Sequence, residues 1–218
     1  MHIINGKINI LTSLRLLNNK IWLKNFMNIK KMFCNTKLKE FSLKLYHLKL
    51  FTKNKFAIMS KSNNKCNLCN KIEDIFHVLY ECETAKIELN WLNTWIYLLF
   101  DLRIDDELNY FFDINQNNLS YFMFIKLFQF ILWKYRCNYN INQKNFNSNN
   151  FRREFIEEYS IIIQISFNRT QKLIIKFPDK EEEYIKNWNK IWNPNNCWCY
   201  YKHNRIYFNN DLIKIIFK

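Results

Sequence analysis

CNLCNKIEDIFHVLYEC, residues 66–82, places three cysteines and a histidine within seventeen residues of a 218-residue chain that holds only seven Cys and four His. The spacing is C-x2-C-x7-H-x4-C, through Cys66, Cys69, His77 and Cys82. A two-residue gap lets one tight turn aim the thiolates of Cys66 and Cys69 at a single ion. The second pair must then arrive from a separate element. That element reads as a short helix opening near Asp74, whose carboxylate can cap it. His77 would sit in its first turn, with Cys82 about one and a half turns further on, at or just past its end. Three sulfurs and one imidazole are donors that a tetrahedral, structural Zn²⁺ takes, and no open fifth position is implied. The alternative is a set of small buried apolar cysteines beside a core histidine. Four ligand-type residues at this spacing favour zinc, which would fold a segment with too little core of its own.

Outward from the cluster the pattern is helical. Leu14, Leu17 and Ile21, then Trp22, Phe26, Ile29 and Phe33, recur at helical spacing, and so do Leu38, Phe41, Leu45 and Leu48. Ile87, Trp91, Trp95, Leu98 and Leu102 mark a helix leaving the cluster. YFMFIKLFQFILW, residues 121–133, is the longest apolar run, and its Lys126 and Gln129 break it well short of the roughly 20 residues of a membrane span. It reads as a central buried helix with a narrow polar stripe through Lys126, Gln129 and Arg136. Helices are expected near 10–33, 37–50, 74–82, 84–100, 119–137, 151–172 and 180–192, the last opened by Asp179 as N-cap with Glu182 as its partner. Lys53–Asn64, the acidic stretch Asp101–Asp113 and the Asn-rich stretch Asn138–Asn150 read as connections, and LIIKF (173–177) as a continued helix or a short strand. One Gly and two Pro in the whole chain leave little material for hairpin turns. The expected fold is mainly α, a helical bundle-like domain with an embedded Cys3His zinc-binding unit.

The net charge of +14 is unevenly spread. Residues 1–65 carry 13 Lys and one Arg against Glu40 alone, a charge of +13; residues 66–120 carry −7 and residues 121–218 carry +8. An AT-rich coding bias would enrich Lys everywhere and leaves the missing acids of the first segment unexplained. A basic face directly ahead of the cysteine cluster suits a polyanion, RNA or DNA, and Lys20, Lys24, Lys30 and Lys31 are the expected contacts. The other account is a solvated lysine face.

An odd cysteine count, with no clean apolar stretch near Met1, argues against a disulfide framework and for a reducing, intracellular compartment, cytoplasmic or nuclear. Cys197, Cys199 and His203 offer three further ligand-type residues, with Cys34 or Cys137 as a conceivable fourth. The C-x-C bite differs from the first pair, and a second metal site is the weaker account of them.

KLKEFSLKLYHLKLF (37–51), a polar loop, and then CNLCNKIEDIFHVLYEC resemble the zinc-binding domain that follows the reverse transcriptase of LINE-type, non-LTR retrotransposons. The likeness includes a Phe- and Lys-bearing helix, the C-x2-C pair, an acidic pair (here Glu73-Asp74) before His77, the aliphatics Val78-Leu79, and Cys82. Trp91 and Trp95 fit the Trp-bearing helix that commonly follows, and FILWKYRCNY (130–139) is similar to a later apolar helix ending near an Arg. The resemblance spans roughly residues 20–140 and is specific over 37–82. It implies metal ligands at Cys66, Cys69, His77 and Cys82, and a role in helping a polymerase hold template RNA or target DNA. It divides the chain into a basic amphipathic segment (1–36), a reverse-transcriptase-type zinc-binding domain (37–103) and a C-terminal helical region (104–218).

The polymerase's own aromatic-x-Asp-Asp motif is absent, because Arg103 stands where the aromatic belongs ahead of Asp105-Asp106. Pro178-Asp179 lacks the spacing of a nuclease motif, with Glu183 and Lys186 three apart. The expected function is therefore non-enzymatic: a zinc-stabilised nucleic-acid-binding module, with a reverse transcriptase body as a further possible partner. The competing reading is a zinc-stapled interaction scaffold that docks an acidic protein.

Overall fold

The computed structural model describes residues 19–104, 106–113, 118–142, 146–192, 199–202 and 205–208. The structure is mainly helical. Helix α1 spans Asn19–Lys31, α2 Thr36–Tyr46 and α3 Lys53–Ser60. The cysteine segment follows, ending in a π-helical turn, His77–Glu81. Then come α4 (Glu83–Phe100), α5 (Glu107–Phe112), α6 (Leu119–Asn142), α7 (Ser148–Lys176), a 3₁₀ turn (Pro178–Lys180) and α8 (Glu181–Trp192). A small antiparallel hairpin, β1 (Cys199–Lys202) and β2 (Arg205–Phe208), pairs Tyr200 with Tyr207. The residues 10–18 of the first expected helix lie outside the described residues, as do Cys197 and His203 of the second candidate cluster; Cys199 is buried.

Helix α6 is the axis of the fold. Every residue from Ser120 to Gln129 is buried, so the other helices pack around its whole circumference. Against it α7 sets a ladder of edge-on rings: Phe124 meets Phe155 and Tyr159 at 4.8 Å each, and Phe128 meets Phe151 at 5.4 Å. From α4, Trp91 reaches Phe155 at 5.7 Å, and from α2, Phe41 reaches Phe130 of α6 at 5.4 Å. Trp188 of α8 stacks edge-on to Phe167 of α7, and Trp192 donates its indole N–H to Ser166 Oγ at 2.8 Å. One contiguous core draws on residues from Ile29 to Cys199.

Three expected connections are helical over part of their length. Lys53–Ser60 forms α3, started by Thr52, whose Oγ1 accepts from Lys55 N at 3.4 Å, and ended at Lys61 in the left-handed region (φ 53°). It buries none of its own residues, so it has no apolar period to betray it. Glu107–Phe112 forms α5 inside the acidic stretch, capped by Asp106, whose Oδ1 accepts from Asn109 N at 2.7 Å. Helix α6 runs on to Asn142 through asparagines that suggested a loop, and LIIKF continues α7 as far as Lys176. Asp179 falls within the 3₁₀ turn after Pro178, and α8 begins at Glu181.

The polar stripe of α6 serves a helix end. The last carbonyls of any α-helix have no partner within it. Those of α5 are met by side chains: Gln129 Nε2 donates to Tyr110 O (2.9 Å), Lys126 Nζ to Phe111 O (2.7 Å) and Asn25 Nδ2 to Phe112 O (2.6 Å). Lys24 Nζ donates to Asp113 O. Lys126 also donates to Gln129 Oε1 at 2.9 Å and lies over the Tyr46 ring at 4.7 Å. A lysine can thus be wholly buried in the centre of the fold, its Nζ donors spent on the carbonyl end of α5 and on Gln129.

Candidate metal centre

The two halves of the cluster come from two kinds of backbone. The first is a small loop closed by an antiparallel bridge between Lys65 and Ile72. Cys66 N–H donates to Lys71 O at 2.7 Å, and Asn70 N–H returns to Cys66 O at 2.9 Å. Asn70 takes φ 59°, a position that a glycine usually fills and that asparagine tolerates. Leu68 N–H points at Cys66 Sγ from 3.4 Å, a donor aimed at the sulfur where thiolate charge would collect.

The second half is the π-helical turn. Asp74 Oδ1 accepts from His77 N at 2.8 Å, capping the turn as the sequence suggested. The turn closes with Cys82 N–H on His77 O at 2.8 Å, and Cys82 then leaves in an extended conformation (φ −62°, ψ 140°) that opens α4.

Cys66, Cys69, His77 and Cys82 converge: their ligand atoms all lie within 4.8 Å of one another, and they form a group that could hold a metal ion. His77 is fully buried, Cys66 and Cys82 are buried, and Cys69 is half-buried. Cys69 Sγ stands 3.2 Å from His77 Nε2, so Nε2 is the nitrogen turned into the cluster. Nδ1 is turned away from the cluster and is buried without a hydrogen-bond partner among the described residues; Glu81 Oε2 stands 3.9 Å off, beyond hydrogen-bond reach. Cys66 and Cys82 act on one another in opposite senses: proximity to Cys82 lowers the Cys66 thiol below its ordinary range, and Cys66 together with burial pushes Cys82 up. Several thiolates this close repel one another and need a cation among the sulfurs.

Glu73 and Asp74, adjacent in sequence, do different work. Asp74 caps the histidine turn. Glu73 is almost completely buried (1 % exposed) and pairs with Arg136 of α6, whose guanidinium also lies over the Trp133 ring at 5.0 Å. Glu73 Oε1 further accepts from Lys53 N (3.0 Å), and Glu73 O from Asn54 N (3.0 Å). One buried carboxylate therefore joins the metal loop, the start of α3 and the end of α6. The sequence marked Arg136 and the acidic pair separately; that they meet had no signal of its own.

The expected nucleic-acid contacts all fall on α1. Lys20, Lys30 and Lys31 are exposed. Lys24 is half-buried; besides its bond to Asp113 O it lies 3.7 Å from Asp113 Oδ2. The structure therefore gives Lys24 an internal role. No helix among the described residues is long and apolar enough to cross a membrane. Comparison with protein-family models, curated proteins and solved structures returned no match.

Proposed function

We propose that this chain is a zinc-stabilised nucleic-acid-binding module of the kind that follows the reverse transcriptase in non-LTR retrotransposons. The observation that carries this is a Cys3His cluster preceded in the chain by helices α1 and α2, whose Lys20, Lys30, Lys31, Lys37 and Lys44 are exposed. A tetrahedral zinc with bonds of about 2.3 Å to sulfur and about 2.0 Å to nitrogen sets its ligand atoms roughly 3.5–3.8 Å apart, within small side-chain adjustments of the spacing seen here. Three thiolates and an imidazole suit zinc over the oxygen-seeking cations. Each of the four positions is filled by a protein side chain, so the ion's role is to hold the 66–82 segment in shape and to join it to α4 and α6.

The likeness to the retrotransposon domain gains physical sense from the Glu73–Arg136 pair, which ties the acidic pair of the motif to the Arg at the end of the later apolar helix. Lysine is a point charge suited to phosphates and reads bases poorly, so binding should carry little sequence preference. Titration of labelled single-stranded RNA and DNA across a salt series tests the proposal. With four or five phosphates neutralised, affinity should fall roughly a hundredfold between about 50 and 200 mM salt. Failure to bind either nucleic acid at the low end, with metal in place, removes the nucleic-acid function and leaves the scaffold reading.

A further inference from the structure

Helix α3 is an anomaly by ordinary packing. Eight residues are too few to be helical on their own, and α3 buries none of them. It is held by its N-terminal end: Lys53 N and Asn54 N donate to Glu73, and Lys53 Nζ donates to Lys65 O (3.1 Å) and to Asn67 Oδ1. The metal loop thus fixes α3 in place and leaves most of its circumference in solvent.

That free face is apolar. Phe56, Ile58 and Met59 are 53, 80 and 71 % exposed, and Phe51, just ahead of the helix, is 61 % exposed. At about 100° per residue, Ile58, Lys55, Met59 and Phe56 share one contiguous arc. Lys53, Asn54 and Ala57, all partly buried, occupy the opposite side. Lys55 Nζ sits 5.6 Å from the Phe51 ring centre and donates to Leu48 O at 3.2 Å, which ties the ring to the helix.

The surroundings are strongly one-signed. From Phe41 to Ile72 there are seven lysines and no acidic residue. Lys61, at the end of α3, and Lys65 and Lys71, on the metal loop, are exposed and form no ion pair among the described residues. Lys44 pairs with Glu40, but two open aromatic rings near Lys61, Lys65 and Lys71 complement a polyanion that carries flat apolar groups, and single-stranded nucleic acid is that polyanion. Duplex would present phosphates alone, its bases being stacked within.

We propose that the outward face of α3 together with Phe51 is a stacking platform for the bases of single-stranded RNA or DNA, whose phosphates are held by the lysines around it. This rests on the nucleic-acid reading above and adds a surface and a strand form to it. Phe51 and Phe56 supply sequence-tolerant stacking, and the metal loop supplies the rigidity that an otherwise unsupported helix lacks.

The test uses the full, metal-loaded chain and anisotropy with three probes of about 15 nucleotides: oligo(U), oligo(dT), and a deoxyribose-phosphate strand without bases. The native chain should prefer oligo(U) or oligo(dT) to the baseless strand by about tenfold or more. The Phe51→Ala, Phe56→Ala double variant should lose that preference while its salt slope, metal content and circular dichroism stay native, since both rings are largely in solvent. RNA and DNA arms that differ would say which strand the platform favours, with either preference supporting it. Equal binding of baseless and base-bearing strands by the native chain overturns the platform and leaves phosphate binding intact. Absence of binding to all three probes overturns the nucleic-acid reading itself. A double variant that keeps its base preference but loses binding to phosphatidylserine vesicles overturns the platform in favour of a lipid-facing surface.

Discussion

The amide of Cys82 donates to the carbonyl of His77 across 2.8 Å, five residues back where an α-helix would reach four. On a regular α-helix, residues five apart point about 140° away from each other. The wider π turn swings them toward one side, which is how a His and a Cys separated by four residues can serve one ion. Such single π turns recur at functional sites.

Inserting one alanine after Tyr80 tests this, because it keeps all four ligands and sets the His and Cys six positions apart, about 120° from each other on a helix. The lengthened chain should bind much less than one zinc per molecule, like Cys82→Ser, whereas Tyr80→Ala should bind close to one. Structural zinc supplies on the order of 10–16 kcal/mol to small metal-folded units at neutral pH, so chelation of the native chain should expose the amides around 60–90 to exchange. Native stoichiometry in the insertion variant, measured by elemental analysis, would show that the π turn is incidental.

Arg136 should be costly to remove out of proportion to its one ion pair. Arg136→Met leaves the Glu73 carboxylate buried without its counter-charge, a situation that typically costs about 3–5 kcal/mol. Glu73→Gln in the same chain removes that stranded charge and can still accept from Lys53 N. The double variant should therefore recover much of the loss. Urea unfolding of the native, single and double variants forms the cycle, and a double variant no more stable than Arg136→Met would contradict the buried-charge account.

Lys126 and Asp113 make opposite contributions to the pH dependence. Burial pushes Asp113 up from 3.8 to about 7, against the pull of Lys24 and Lys126. Its contribution to stability is present below pH 3.8 and lost as the pH rises through about 7. Burial lowers Lys126 from 10.5 to about 7, with Asp113 opposing. Between those two values the unfolded chain holds the extra proton, so stability should rise with pH, by at most about 1.4 kcal/mol per pH unit. With metal kept saturating, Lys126→Met should abolish that rise above neutrality, and should also lower overall stability by stripping Phe111 O of its donor. Above about pH 9 the Cys34 and Cys199 thiols, raised by burial, oppose the rise, so a native chain whose unfolding free energy is flat from about pH 7 to 8.5 would mean that Lys126 stays charged in the core.

The cluster and the long helices were legible because each leaves a periodic or spaced trace in the sequence. Cys66, Cys69, His77 and Cys82 needed only their spacing, and Asp74 only its place three residues before His77. What escaped notice has no such trace. Helix α3 turns its apolar residues to solvent and is held by a side chain twenty positions away, Glu73. Helix α5 is a six-residue piece whose end is completed by Lys126, Gln129, Asn25 and Lys24, contacts that span up to 89 positions. The stripe Lys126–Gln129–Arg136 was visible as polar residues in an apolar run, but its partners, the α5 carbonyls and Glu73, exist only once the chain is folded.

The lysines of α1 separate charge that faces solvent from charge that holds the fold. On an ideal helix Lys20, Lys24 and Lys31 lie within about 40° of one another, with Lys30 about 80° to one side. Lys24 is bound to Asp113 and half-buried, whereas Lys20, Lys30 and Lys31 are exposed. Reversing those three to Glu should reduce the salt slope of single-strand binding by roughly two, at about 0.7 per phosphate, and weaken affinity at low salt by more than tenfold, with zinc content and helicity unchanged. Lys24→Gln should behave in the opposite way. It removes the donor to Asp113 O and a counter-charge from the buried Asp113 carboxylate, so it should destabilise the fold by about 1–3 kcal/mol while leaving the salt slope intact. Anisotropy across a salt series, run beside urea unfolding, reads both quantities on the same samples. If the triple reversal binds RNA and DNA as tightly as the native chain, the lysines of α1 are a solvated face, and any binding must be assigned elsewhere on the surface.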